Sequence, residues 1–274
     1  MEILLLKPYA AKTQELELCQ QIARPDTRIT FANIADAYPI KHVHHNYFRS
    51  RAVVEAVEKI LKAEEDGYDG VCIACGADPA LFEARELVKI PVTSTFEAAG
   101  HVACMMGHKF SVITTIDYAV PQMQNLALLY GFGHKLASIR HLDIPGRNLR
   151  KEVTSEQTII DRVNEVARHC VEHDGAEVVV ITATLASVLF STKEGGPITD
   201  VGAPVVNAMQ VGLKMVELMV DLQKLGGLAP VSRIGIYKEP YEPEYRELRE
   251  FYKLPLRRGM KKKRPEASRS TGKK

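Results

Sequence analysis

The chain is expected to be an α/β protein of two pseudo-symmetric lobes, each a small doubly wound parallel sheet flanked by helices, with the active site in the cleft between them. The first observation behind this is a set of apolar runs. Residues 3–6, 71–74, 110–113 and 178–181 are continuously apolar instead of alternating, the pattern of strands covered on both faces by helices. The second is that segments of helical spacing long enough for a parallel crossover lie at 13–24, 48–65, 120–130 and 155–173. The third is an internal repeat. Gly67 to Cys75 is matched by Gly175 to Ala183, eight residues on from glycine in each. Pro91-Val92 leads to Glu97 as Pro204-Val205 leads to Gln210, and the run after Glu2 parallels the run after Lys109. A duplicated unit dictates the fold.

Taken in order, each half gives strand, helix, strand, helix, strand, helix. The N-terminal strand ends at Lys7 and a proline turn. Helical segments 13–24 and 48–65 precede the strand that ends at Cys75. Pro91-Val92 then leads into a helix from Glu97, and the second half repeats the plan from Lys109. After it, residues 234–237 are read as a last strand and 244–252 as a last helix. Residues 1–95 together with about 206–253 form the expected first lobe, 96–205 the second, and 254–274 a disordered tail.

Composition fits a cytoplasmic enzyme. The 274 residues suffice for two lobes, and the N-terminal apolar run is too short for a signal peptide or membrane span. Five cysteines, an odd count without a secretory segment, indicate reduced thiols. The net charge of +2 hides an asymmetry: residues 257–274 carry nine basic residues and one acidic residue, leaving the body at 27 basic against 33 acidic. The tail has little to bury, so disorder is expected. It also lacks the interleaved aromatics that stack on bases, so specific nucleic-acid binding is not expected. A homo-oligomer without membrane association is.

In parallel α/β sheets ligands sit beyond the carboxyl ends of the strands. Those ends carry Lys7, Cys75, Thr114, Thr115, Thr182, Ala183 and Thr184. Cys75 precedes a turn and a helix expected near Pro79, whose N–H groups would favour a thiolate and lower the thiol below its usual value of about 8.5. The N–H groups of Gly76 and Ala77, with the hydroxyls of Thr114, Thr115, Thr182 and Thr184, would hold a carboxylate or enolate oxygen. Lys7 would strengthen carboxylate binding or act as a second base, the alternative being a solvated lysine.

The stretch from Gly70 through Cys75-Gly-Ala-Asp-Pro79 to Val92, followed by Glu97-Ala-Ala and Lys109-Phe-Ser-Val-Ile-Thr-Thr115, resembles the aspartate/glutamate/hydantoin racemase superfamily, nearest its hydantoin and allantoin racemase branch. The resemblance covers about residues 2–225. It implies two lobes that each offer a cysteine to opposite faces of a substrate α-carbon, with no metal or cofactor, and it places the first cysteine on Cys75. Three positions depart from the pattern. Ile181-Thr-Ala-Thr184 replaces Leu-Gly-Cys with a following Ala or Thr, so Ala183 stands at the second thiol. Lys7-Pro-Tyr9 replaces Asn-Pro-Asn, and Asn207 replaces an aspartate.

Inverting a carbon needs an acid and a base on opposite faces, and a methyl group is neither. The expected activity is therefore that of a cofactor-independent enzyme acting on a small carboxylate or hydantoin-like substrate through one cysteine, as a one-base isomerase, a decarboxylase or lyase, or a hydrolase. The alternatives are a true racemase with a non-cysteine second base and an inactive small-anion binder. Other candidates carry less. Cys72 and Cys75, three apart in a strand, face opposite ways and make neither a redox pair nor a metal clamp. Cys19, Cys104 and Cys170 fall on helical segments as small hydrophobes. His42-Val-His-His45 lacks a matched ligand pair and is read as a loop at the cleft mouth. His101 is a helix residue, and Asp78 is expected to cap the helix after Pro79.

Overall fold

The computed structural model describes residues 1–7, 13–34, 45–144, 155–183, 186–187 and 201–260. Its strands are β1 (Glu2–Lys7), β2 (Arg28–Asn33), β3 (Gly70–Ile73), β4 (Val92–Ser94), β5 (Phe110–Thr114), β6 (Leu136–His141), β7 (Val178–Ile181) and β8 (Val205–Asn207). They form two four-stranded sheets ordered β2-β1-β3-β4 and β6-β5-β7-β8, with every pairing parallel. The two-lobed α/β architecture is as expected, with four strands per lobe in place of three. β2 and β6 are half-buried edge strands that carry Arg28 and Arg140, so they lack the continuous apolar run of a central strand. β4 and β8 are three residues long, too short for a periodic signal.

The helices are α1 (Thr13–Ile22), α2 (Asn46–Asp66), α3 (Leu81–Leu87), α4 (Thr95–Met106), α5 (Val120–Leu129), α6 (Glu156–Glu172), α7 (Ala208–Gly226) and α8 (Glu242–Phe251). The period-two alternation of each strand sends its side chains to two separate cores. In the first sheet, Leu4, Leu6, Val71 and Ile73 pack with Ala56, Ile60 and Leu81 from α2 and α3, while Ile3, Leu5 and Cys72 pack with Leu213, Val216 and Val220 of α7. In the second, Ile113, Val179 and Ile181 meet Ile159, Val163 and Ala167 of α6. Phe110, Val112, Val178 and Val180 meet Phe96, Ala99 and Ala103 of α4 and Met123 of α5.

The consequence is an exchange of covers. α4 follows the last strand of the first sheet yet lies on the second, and α7 follows the last strand of the second sheet yet lies on the first. The two helices cross closely at Gly212, where a Cβ would stand 3.1 Å from Cys72 Sγ and 3.1 Å from Thr95 Cγ2. This crossing locks the lobes together through packed atoms on both sides.

The segment after α7 straps the first lobe. Arg233 donates to the carbonyls of Arg85, Glu86 and Val88 at the end of α3. Arg249 reaches Glu58 at 2.6 Å and Arg257 reaches Glu64 at 2.5 Å, both on α2. The strand expected over 234–237 does not form. Gly235 turns the backbone with φ +90°, Ile234 and Ile236 point into solvent, and Tyr237 stacks on Phe82. The expected last helix is α8, two residues earlier at its start. Residues 261–274 of the basic tail lie outside the described residues. No helix among the described residues is long and apolar enough to cross a membrane.

Candidate active site

β1 and β3 are adjacent, with Leu6 opposite Ile73 and the Ala74 N–H donating to the Leu6 carbonyl at 2.8 Å. Lys7 and Cys75 therefore emerge together at the carboxyl edge of the first sheet. Both are buried, Lys7 with 1% and Cys75 with 7% of its surface exposed. The Lys7 side chain is thus buried at the strand edge and not solvated. In the second sheet Thr114 ends β5, and Thr182 and Ala183 follow β7. Thr114 and Ala183 are buried, and Thr115 and Thr182 are half-buried. Thr184 lies outside the described residues.

The two edges meet at Gly76. A Cβ built there would stand 3.0 Å from Thr182 Cβ and 3.5 Å from the Thr182 carbonyl oxygen. The residue after Cys75 thus packs against the residue before Ala183, which sets the homologous strand ends of the two lobes against each other. A side chain at this position would require Thr182 to give way by a few tenths of an ångström.

Cys75 is not the low-pKa thiol expected from sequence. Burial pushes it up to about 12. The Ala77 N–H, which donates to the sulfur, pulls in the opposite direction, as do the charges of Lys7 and Arg49, while the carboxylate of Asp78 adds to the rise. The expectation failed because α3 begins only at Leu81, behind a strained turn with Asp78 at φ 43° and Ala80 at φ 68°. At the resting site desolvation outweighs local dipoles. Ala77 N–H is also turned toward the thiol itself, and the Thr182 hydroxyl donates to the Ile113 carbonyl at 3.1 Å. Of the expected cradle, Thr182 can thus offer a ligand only an oxygen lone pair.

Asp78 differs from expectation as well. It does not cap α3. Its Oδ1 accepts from the Phe96 N–H at 3.1 Å and its Oδ2 from the Glu97 N–H at 2.9 Å and the Tyr130 hydroxyl at 3.0 Å. It caps α4, on the other lobe. Its own N–H donates to the Cys75 carbonyl at 2.9 Å. Cys72 lies on the opposite face of the sheet, in the core under α7, as the spacing implied. His45, which precedes α2, stacks on Tyr118, which follows β5, with ring centroids 5.7 Å apart and planes 14° apart. This contact joins the start of α2 to the turn after β5. His42 and His44 lie outside the described residues. Among the described residues no group of three or more metal-ligating side chains converges.

Sequence reasoning missed Arg49, Tyr118 and Tyr130. Arg49 sits one turn into α2 with its charge acting on Cys75. Tyr130 ends the helical segment read over 120–130 and Tyr118 lies just before it, and spacing says nothing of which neighbour either reaches.

The description Asp/Glu/Hydantoin racemase matches residues 11–216 of the chain. A hydantoin racemase of Pseudomonas sp. (strain NS671) is 27% identical over 249 residues, covering 89% of this chain and 94% of that protein. One of Rhizobium meliloti is 28% identical over 243 residues, covering 88% and 95%. The structure of an allantoin racemase from Klebsiella pneumoniae superposes with a TM-score of 0.74 at 28% identity, covering 88% of this chain and 94% of that one.

Proposed function

The chain belongs to the Asp/Glu/hydantoin racemase family, and from that premise we propose that it is a cofactor-independent enzyme moving a proton at the carbon beside a carbonyl of a small hydantoin-like or carboxylate substrate, with Cys75 as its single thiol. Relatives named hydantoin racemase and an allantoin racemase of similar structure support the cyclic, imide-like substrate class. The observation that carries the single-thiol reading is the inequality of the two facing strand ends: Cys75 follows β3, and Ala183 stands at the repeat-equivalent position after β7.

The chemistry follows from what each side can hold. A thiol pushed up to about 12 is protonated at rest, so Cys75 starts as an acid able to protonate a carbanion or enolate. To act as a base it must first give up its proton, which Lys7, Arg49 and the Ala77 N–H favour and the apolar surroundings oppose. Ala183 offers a methyl group, which can neither take nor return a proton. Protonation then comes from one face. Deprotonation and return through the same sulfur exchanges the α-hydrogen with handedness kept. Loss of carbon dioxide from a substrate carrying a second carboxylate, followed by transfer of the Cys75 proton to the carbanion, gives a single enantiomer, and water restores the thiol.

The test is incubation in heavy water with single enantiomers of hydantoins and α-substituted carboxylates, following the α-proton by NMR alongside chiral chromatography. Deuterium entering with configuration retained, and lost in Cys75→Ser, is the expected result. Racemisation would instead require a second base, and Lys7, buried beside Cys75 at the strand edge, would be the first residue to replace. Absence of both exchange and decarboxylation would favour the small-anion binder.

A further inference from the structure

Asp78 has no part in the proton transfer proposed above, yet it is a carboxylate with 5% of its surface exposed, three residues after the thiol. Burying a charge is costly unless it is met by hydrogen bonds, and here the donors are the Phe96 and Glu97 N–H groups, the Tyr130 hydroxyl and the Ser94 hydroxyl of β4. Phe96 and Glu97 open α4, whose side chains pack on the second sheet, and Tyr130 follows α5, which packs there too. The twelve-residue α4 turns its N-terminal N–H groups toward the carboxylate. On its own side Asp78 is bonded through its N–H to the Cys75 carbonyl and held at positive φ, a conformation that persists only when the surroundings over-determine it.

We propose that Asp78 is a positioning residue that clasps the Cys75 loop to the start of α4 and to Tyr130 and, through its charge, tunes the reactivity of the thiol. The inference rests on Cys75 being the reacting thiol. Several groups set the balance. The charge of Asp78 acts on Cys75 and, across the sheet, on Cys72, and its carboxylate faces Tyr130 beyond α5. Glu97 on α4, itself bonded to Arg85 of α3 at 2.5 Å, lies near Tyr130, and Lys7 and Arg49 act on Cys75 from β1 and α2. Burial pushes the Asp78 carboxyl up to about 7 while its four hydrogen-bond donors hold it back, so the carboxylate is fully charged in the alkaline range where Cys75 ionises.

The experiment reads Cys75 directly, without substrate: the rate of alkylation by iodoacetamide against pH, with the modified peptide identified by mass spectrometry. Two variants act in opposite directions. Asp78→Asn removes the charge, and its Cys75 alkylation is expected to be about ten-fold faster at pH 8 than in the parent, equivalent to about one unit on the pH axis. Tyr130→Phe keeps the carboxylate but withdraws a donor; read at about pH 10, where the carboxylate stays charged although losing a donor moves its titration upward, more of its charge acts on the thiol and alkylation is expected to slow by about two- to three-fold. If Asp78 only braced the loop, both variants would expose the thiol and both would react faster. That outcome, or an unchanged profile in both, overturns the proposal. Should Asp78→Asn fail to fold, the sign of the Tyr130→Phe change decides. Because no substrate is involved, failure of the heavy-water experiment would leave this result standing, and the two readings fail separately.

Discussion

The two halves share one backbone plan and differ in where they place polar chemistry. Each sheet has the order second-first-third-fourth, each fourth strand is three residues long, and each is followed by a helix that covers the other lobe. After the third strand the halves part. The first continues with Cys75, Gly76, Ala77 and Asp78, the second with Ala183 and then Ala186 and Ser187, which are buried. The helices that follow the fourth strands are capped differently as well. α7 is capped locally, Asn207 Oδ1 accepting from the Gln210 N–H at 3.1 Å. At the equivalent position before α4, Ser94 makes no side-chain cap bond, and Asp78 reaches over from the Cys75 loop instead. Burial on both faces fixes the apolar positions of a parallel strand. It leaves the few polar residues at strand ends free to diverge, so in a duplicated fold the departures from symmetry mark where the chemistry lies.

The sharpest way to break the comparison is to restore the missing group. Ala183→Cys places a thiol on the second strand end, opposite the junction where Gly76 meets Thr182. The expected outcome is that the parent only exchanges while the variant also inverts, at a rate within about 10²-fold of the exchange rate, since a positioned acid or base contributes about 10²–10⁴-fold. Chiral chromatography of a single enantiomer incubated with the variant checks it. Persistent exchange with no inversion would mean that Ala183 does not face the second side of the reacting carbon.

Much of the symmetric part was legible in the sequence because it depends on patterns that local physics fixes. The central strands β1, β3, β5 and β7 follow from unbroken apolar runs. α6 fills the helical segment read over 155–173, its start held by Ser155, whose hydroxyl accepts from the Thr158 N–H. Edge strands β2 and β6 escaped because one edge and part of each face are open, which lets Arg28, Thr30, Ser138 and Arg140 replace the apolar run. The placement of Cys75, Lys7, Thr114 and Ala183 at strand ends was readable from the α/β plan. The acidity of Cys75 was not, because it depends on how completely the residues of β1, α2 and α3 packed around it exclude water, a property of long-range packing. Asp78 was misassigned for the same reason: adjacency in sequence suggested α3, while the helix that needs its cap arrives from 17 residues further on.

Gly76→Ala tests whether the lobe contact itself matters. The added Cβ would lie 3.0 Å from Thr182 Cβ, closer than ordinary van der Waals contact, and neither strand end can retreat without disturbing a hydrogen-bonded sheet. Overpacking of this kind costs about 1–3 kcal/mol. The expected result is a lower urea midpoint with unchanged slope, together with a loss of exchange activity larger than stability alone explains, because the displaced loop carries Cys75. A variant as stable and as active as the parent would show that the lobes do not press together at this point.

The smallest expected effect concerns the caps and compares the halves directly. Asn207 both caps α7 and donates from Nδ2 to the Ser187 carbonyl at 2.7 Å, tying the helix start to the loop after β7. Asn207→Ala removes both bonds and is expected to cost about 1–2 kcal/mol, the upper part of the range for losing a cap. Ser94→Ala at the equivalent position removes a buried hydroxyl that makes no cap bond to α4 and faces Asp78 instead, so its cost should be about 0.5–1 kcal/mol, the net worth of one hydrogen bond. Urea unfolding of the two variants side by side measures the difference. Equal losses would mean that Ser94 holds α4 as Asn207 holds α7. That would leave Asp78 redundant as a cap and weaken the case that the Cys75 loop is fastened to the start of α4.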